Sequence, residues 1–195
     1  MQQQLDNILE KWNLLKHPFY QAWNMGTLPV TALHIYAREY GNFIATLPRG
    51  WETLNDAETA QEEREHAEMW KDFTAALGSF TADASLQQTS SLVATSQALF
   101  AARASALGAL YAFEAQQPAT AQSKLDGLKT HYKLPQGVEP YFEVHAKNWH
   151  ESEKILRLIE TLPPAEQAET LAACEQMARS LWDALTGIHD AARVN

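Results

Sequence analysis

The chain has 195 residues, of which 46% are hydrophobic and 20% charged, and its formal net charge is -9. That length suits one domain spanning 1–195 with a sizeable core, and the composition is that of a globular rather than a disordered chain. The acidic balance and the lack of a Lys/Arg stripe argue against nucleic acid and anionic lipid as partners.

The single cysteine, Cys174, excludes an intramolecular disulfide and fits a reducing compartment. No apolar run approaches membrane-spanning length, and Met1-Gln2-Gln3-Gln4-Leu5-Asp6 does not read as a basic segment leading into an apolar one. A cytoplasmic location is the expectation.

In chain order, a short opening helix is expected over about Gln2 to Leu14. Pro18 suits the first position of a second helix, on which Phe19, Tyr20 and Trp23 make one aromatic face. The aromatic side of a short N-terminal helix is a candidate face for a homodimer. Pro29 starts a longer helix with Leu33, Tyr36, Tyr40, Ile44 and Leu47 on one side, and Pro48 interrupts or ends it. A helix over roughly Ala57 to Leu77 is stopped by Gly78, and the polar stretch Ser79 to Gln88 reads as the main loop. A long helix to about Gln117 is kinked or restarted at Pro118, followed by a short one to about His131 and a turn at Leu134-Pro135-Gln136-Gly137. Two helices close the chain, from about Glu139 to Thr161 and from Pro163-Pro164 to about Ala191. Nothing reads as a strand, so the fold class is all-α.

Three of these helices carry ionisable residues on a stripe that should be apolar. Extending the stripe Met69, Trp70, Phe73 and Leu77 backwards by threes and fours reaches His66 and then Glu62 or Glu63. A carboxylate three or four residues before a histidine shares its face and can share its metal. On the central helix the stripe Leu107, Leu110 and Tyr111 continues to Glu114, in almost wholly apolar surroundings. On the helix from Glu139, the residues Phe142, His145, Trp149, Ser152 and Leu156 fall on one side. His150 lies roughly 140° from His145 and sits at an edge. Carboxylate oxygens mixed with imidazole suit iron or manganese, and helix bundles assemble such sites from facing helices.

Several segments, in order along most of the chain, resemble the CADD-type metal oxidases of the heme-oxygenase-like superfamily, which also contains TenA and PqqC. They are Leu15-Lys16-His17-Pro18-Phe19-Tyr20-Gln21-Ala22-Trp23, Tyr36-Ala37-Arg38-Glu39-Tyr40, His66-Ala67-Glu68-Met69-Trp70-Lys71-Asp72-Phe73, Leu110-Tyr111-Ala112-Phe113-Glu114-Ala115-Gln116-Gln117-Pro118, Lys124-Leu125-Asp126-Gly127-Leu128 and Tyr141-Phe142-Glu143-Val144-His145. The resemblance implies a seven- to eight-helix bundle around a dinuclear iron or iron–manganese site that activates dioxygen with a reductant. It places His66, Glu114 and His145 on ligand positions, to which the helical spacing adds a carboxylate from Glu62 or Glu63.

In the branch that makes p-aminobenzoate, the resemblance implies that a tyrosine of the protein supplies the ring and a lysine the nitrogen. Tyr20, Tyr36 and Lys124 match positions given such roles. The chain departs from the family pattern in having Thr59 seven residues before His66, where a glutamate is usual. It also has Trp149 and Ser152 where an aspartate and a histidine are usual; Glu58, Glu62, Glu63 or His150 are candidate replacements. Two other readings stand beside the oxidase. One is a metal-free relative acting on a small molecule in the manner of PqqC, or of TenA, which would need a cysteine nucleophile, whereas Cys174, beside Ala172 and Ala173, is expected to pack against other helices. The other is a non-catalytic helical binding protein with a degenerate site.

Overall fold

The computed structural model describes residues 1–80 and 82–194. Thr81, in the expected main loop, and Asn195 lie outside the described residues. The described residues form helices and connections with no strand. The order is α1 (Gln2–Lys11), a 3-10 turn (Leu14–Lys16), α2 (Pro18–Asn24), α3 (Val30–Ile44), α4 (Leu47–Thr53) and α5 (Ala57–Ala76). There follow α6 (Gln87–Leu99), α7 (Arg103–Glu114), α8 (Gln117–His131), α9 (Pro140–His145), α10 (His150–Glu160) and α11 (Pro164–Val194).

Local chemistry sets most of these bounds. His17 Nδ1 accepts from the Phe19 amide at 3.1 Å and caps α2, whose first turn carries Pro18. Asp56 Oδ1 accepts from Thr59 N at the start of α5, and Gly78, at φ +72°, ends the same helix in the left-handed region.

Two expected long helices are each broken in two. Between α6 and α7 the chain turns extended at Ala102, although Phe100-Ala101-Ala102 contains no helix breaker. Tertiary contacts make this break: Thr53 Oγ1 donates to the Phe100 carbonyl at 2.6 Å, and Ser105 Oγ bonds the Leu99 carbonyl at 2.6 Å. The second break, between α9 and α10, spans residues 146–149. It turns Trp149, expected on the inward stripe, out to 52% exposure and brings Glu151 inside at 1%.

α11 packs along α7, α6 and α3 and sits deepest against α7, every residue of which from Ala104 to Glu114 is buried. Gly108 allows that approach, since a Cβ there would lie 2.0 Å from the Thr170 carbonyl oxygen. The N-terminal aromatic residues are taken up by the chain itself. Phe19, Tyr20 and Trp23 are buried in the core, and Trp12 packs edge-on against Trp182. No helix among the described residues is long and apolar enough to cross a membrane.

Alanine is favoured over glycine in an exposed helix, yet Gly108→Ala is expected to destabilise the chain by about 3 kcal/mol, because the obstructing atoms are α11 backbone that cannot rotate away. Urea unfolding measures this, and an unchanged or raised midpoint would show that α7 and α11 have room between them.

Candidate metal centre and the buried lysine

Five side chains from four helices converge in the interior. Glu63 and His66 come from α5, Glu114 from the end of α7, His145 from the end of α9 and Glu151 from the start of α10. One ligand atom from each of Glu63, His66 and His145 lies within 4.8 Å of the others, and the same holds for Glu63, Glu114 and Glu151. Glu63 belongs to both sets, so the arrangement is that of two adjacent cation sites sharing a carboxylate.

The histidines are held for ligation. His145 Nδ1 lies 2.7 Å from the Tyr141 carbonyl. A carbonyl only accepts, so Nδ1 carries the hydrogen and Nε2 keeps a lone pair. That Nε2 is buried and has no hydrogen-bond partner. Burial, with His66 close by, lowers the His145 pKa to about 3, so the ring is neutral. The Tyr141 ring stacks on it at 4.1 Å, and Gln117 Nε2 donates to the Tyr141 hydroxyl at 3.0 Å. His66 Nδ1 pairs with Glu63 Oε1 at 2.8 Å. Burial works against its imidazolium, but Glu63 outweighs burial and raises its pKa.

Most of the carboxylate oxygens lack partners among the described residues. Glu63 Oε2, Glu114 Oε1 and both oxygens of Glu151 are buried without a hydrogen bond. Burial, followed by the Glu151 and Glu63 charges, pushes the Glu114 pKa well above the carboxylate range, and burial raises that of Glu63. Glu39 shows what a satisfied carboxylate looks like in this fold. It is also buried, but it accepts from Ser85 N, Leu86 N and Thr89 Oγ1, and these bonds overcome burial and hold its pKa below the usual value. Oxygens left bare at low dielectric are costly unless protonated or bound to a cation. Carboxylate oxygen with imidazole nitrogen is a donor set that fits iron or manganese.

Of the residues expected from sequence, His66, Glu114 and His145 therefore meet in one place. Glu62 does not join them: it is exposed, and the inward carboxylate of the pair is Glu63. Thr59 is buried, and its hydroxyl accepts from Lys154 Nζ at 3.1 Å. Glu151 does not stand out in the sequence, where His150-Glu151-Ser152-Glu153 reads as a polar helix start.

A second cluster lies among α2, α3 and α8. The Tyr20 and Tyr36 hydroxyls are 3.0 Å apart, and Lys124 Nζ donates to them at 3.5 and 3.2 Å. The lysine head also lies 4.9 Å from the Tyr20 ring centre and 5.2 Å from that of Phe142. Gly127 lets α8 come this close, since a Cβ there would meet the Trp23 indole at 2.7 Å, and Trp23 Nε1 donates to the Lys124 carbonyl. Among the described residues no carboxylate pairs with the ammonium, and burial lowers the Lys124 pKa to about 7. Ring contacts join the two clusters. Tyr36 packs on Trp70 at 5.5 Å, Trp70 on Tyr141 at 4.8 Å, and Tyr141 on His145 at 4.1 Å. Cys174, the nucleophile a TenA-type reaction would need, is fully buried against α7, and burial pushes its thiol pKa up to about 12; it belongs to the packing.

A family model described as iron-containing redox enzyme matches residues 49–184, a span that holds all five converging donors. The chain belongs to the iron-containing redox enzymes. It is 34% identical to the 4-aminobenzoate synthase of Nitrosomonas europaea, over 96% of this chain and 90% of that protein. It is 29% identical to the 4-aminobenzoate synthase of Chlamydia pneumoniae, over 93% and 92%. Among solved structures, its fold is similar to a heme-oxygenase-like domain from Shewanella denitrificans (TM-score 0.80, 16% identity, 97% of this chain and 91% of that one). It is also similar to a CADD-like protein from Nostoc punctiforme (TM-score 0.65, 16% identity, 97% and 96%). The fold is therefore heme-oxygenase-like.

The buried charges set two pH dependences of opposite sign. In metal-free protein Glu114 keeps a proton when folded that it loses when unfolded, so stability should fall as pH rises above the unfolded carboxylate value near 4.5. Glu114→Gln should flatten that fall by up to about 1.4 kcal/mol per pH unit, and should lose the rise in Tm that metal gives the native chain. Melting curves across pH with chelator, then with iron(II), check both parts; parallel curves for the two proteins would count against a buried carboxylate cluster. Lys124 titrates in the opposite sense. Its folded pKa lies below its unfolded one, so its burial costs most below about pH 7 and progressively less up to about 10.5. Lys124→Met should accordingly raise Tm more at about pH 6 than at about pH 9, and an equal gain at both would argue for a charged lysine.

Proposed function

We propose that this chain is a metal-dependent oxidase that makes 4-aminobenzoate from its own tyrosine. The relatives named 4-aminobenzoate synthase support the product. One observation carries the self-supplied ring: a buried amine with a pKa near 7 lies 3.5 Å from a buried phenol oxygen. 4-Aminobenzoate bears nitrogen at the ring carbon where tyrosine bears oxygen, and a carboxyl at the ring carbon where tyrosine bears Cβ. Lys124 Nζ stands beside the first of these carbons on Tyr20.

The roles of the remaining residues follow from their contacts. Burial lowers the pKa of the amine to about 7 and so eases loss of the proton that would keep it from acting as a nucleophile. The Tyr36 hydroxyl hydrogen-bonds both groups and fixes their approach. Glu63, His66, Glu114, His145 and Glu151 would hold two ions, iron or iron with manganese, which when bound supply dioxygen activation. The ring contacts from His145 through Tyr141, Trp70 and Tyr36 give a path for withdrawing electrons from Tyr20, and the apolar bundle keeps water away from it. Forming the product breaks the Tyr20 ring C–O and Cα–Cβ bonds and the Lys124 Cε–Nζ bond, with the phenol oxygen leaving as water; dioxygen is the oxidant that takes Cβ to the carboxyl, and an external reductant supplies its remaining electrons. Tyr20 also lines a surface cavity of about 400 Å³ with Leu15, Asn24, Met25 and Ser123, which gives the product a way out. Because ring and nitrogen belong to the chain, each molecule turns over once.

Protein grown with ring-¹³C tyrosine and ¹⁵N lysine, loaded with iron and exposed to dioxygen and reductant, should release up to one doubly labelled 4-aminobenzoate per chain. Tyr20→Phe, which keeps the ring but not its oxygen, should release none. Product without label, or many products per chain, would sink the self-supplied ring while leaving an oxidase.

A further inference from the structure

The shared carboxylates do not stop at the interior. Glu151 also belongs to a third group: one ligand atom from each of Glu62, His150 and Glu151 lies within 4.8 Å of the others. Glu62 and His150 are exposed, whereas Glu151 is 1% exposed and neither of its oxygens has a partner. The three possible cation positions thus form a series. Glu63 links the two inner ones, and Glu151 links the inner pair to the surface.

The outer position opens on a surface cavity of about 340 Å³ lined by Glu62, Glu65, His66, Lys147, Asn148 and His150. Lys147 is the one lysine there, faced by two glutamates, so the mouth attracts cations. His66 lines this cavity and is also an inner donor. On other sides of the cluster, Glu114 ends the buried helix α7, and the Tyr141 ring stacks on His145.

We propose that Glu62, His150 and Glu151 form a transit site through which a divalent metal ion enters the buried centre. An ion crossing into a dry interior must exchange water for protein donors in stages, and this group offers two exposed donors and one that already faces inward. Imidazole and carboxylate suit iron(II), manganese(II) or cobalt(II) alike. The two exposed residues capture the ion, and Glu151 hands it on by exchanging its outer partners for Glu63 and Glu114. The transit site rests on the metal-centre reading and adds a loading path to it.

The test is stopped-flow absorption of metal-free protein mixed with cobalt(II) alone, with final cobalt per chain counted by elemental analysis. His150→Ala and Glu62→Gln change exposed side chains. Each should slow filling by about tenfold, the lower end of what a focusing cleft contributes to an on-rate, while the final count stays that of the native chain. Filling at the native rate in both variants would overturn the transit site and leave the inner centre standing. A lower final count with unchanged rate would make the two residues resident ligands and overturn it as well. Native protein that takes up no cobalt would remove the inner centre and, with it, any path to it.

Discussion

Three carboxylates that share one dry space are the constraint around which this bundle is organised. In water, Glu63, Glu114 and Glu151 would repel one another only weakly. In the interior, with α7 buried along its length, the Glu151 charge adds to the cost of ionising Glu63 and Glu114, and Glu63 adds to that of Glu114. The chain does have the means to satisfy a buried carboxylate, as Glu39 shows with its amide and hydroxyl donors from Ser85, Leu86 and Thr89. At the triple cluster it places no such donors. Aromatic walls, a neutral His145 and one Glu63–His66 pair surround carboxylate oxygens that have no hydrogen-bond partner among the described residues.

The supporting structure is built from close approaches that only glycine permits. Gly127 admits the Trp23 indole and so sets Lys124 against Tyr20. Gly41 leaves room for the Trp70 indole, which donates to the Ala37 carbonyl at 2.8 Å and thereby stands between Tyr36 and Tyr141. Gly108 brings α11 onto α7 behind Glu114. Each contact fixes one member of a polar cluster through the backbone on which that member is carried, so both clusters depend on helix spacing more than on loop conformation.

Much of this is legible in the amino-acid sequence. Helical spacing leads from Met69, Trp70 and Phe73 back to His66, and from Leu107 and Leu110 forward to Glu114, because an inward stripe persists as long as its helix is straight. Spacing leaves the choice between Glu62 and Glu63 open, since either lies within a turn of His66 and only packing selects one. It fails where a helix is not continuous. Carried through residues 146–149, the stripe of α9 puts Trp149 inside and leaves Glu151 out. The actual break reverses both, and nothing in Ala146-Lys147-Asn148-Trp149 announces it. Tyr20, Tyr36 and Lys124 are another case: their aromatic or surface character hides a hydrogen-bonded group to which only family resemblance points.

That break also bears on what sets the spacing of the donors. On one uninterrupted helix, donors six residues apart point about 120° away from each other, and whatever gap they span is set by helical pitch. Here His145 ends one short helix and Glu151 begins another, so the two donors sit on separate rigid pieces joined by four residues. The gap between them is set by how α9 packs on α8 and how α10 packs on α7, not by helical pitch. The spacing of the donors is therefore a property of tertiary packing that neighbouring helices share, and no single helix carries it.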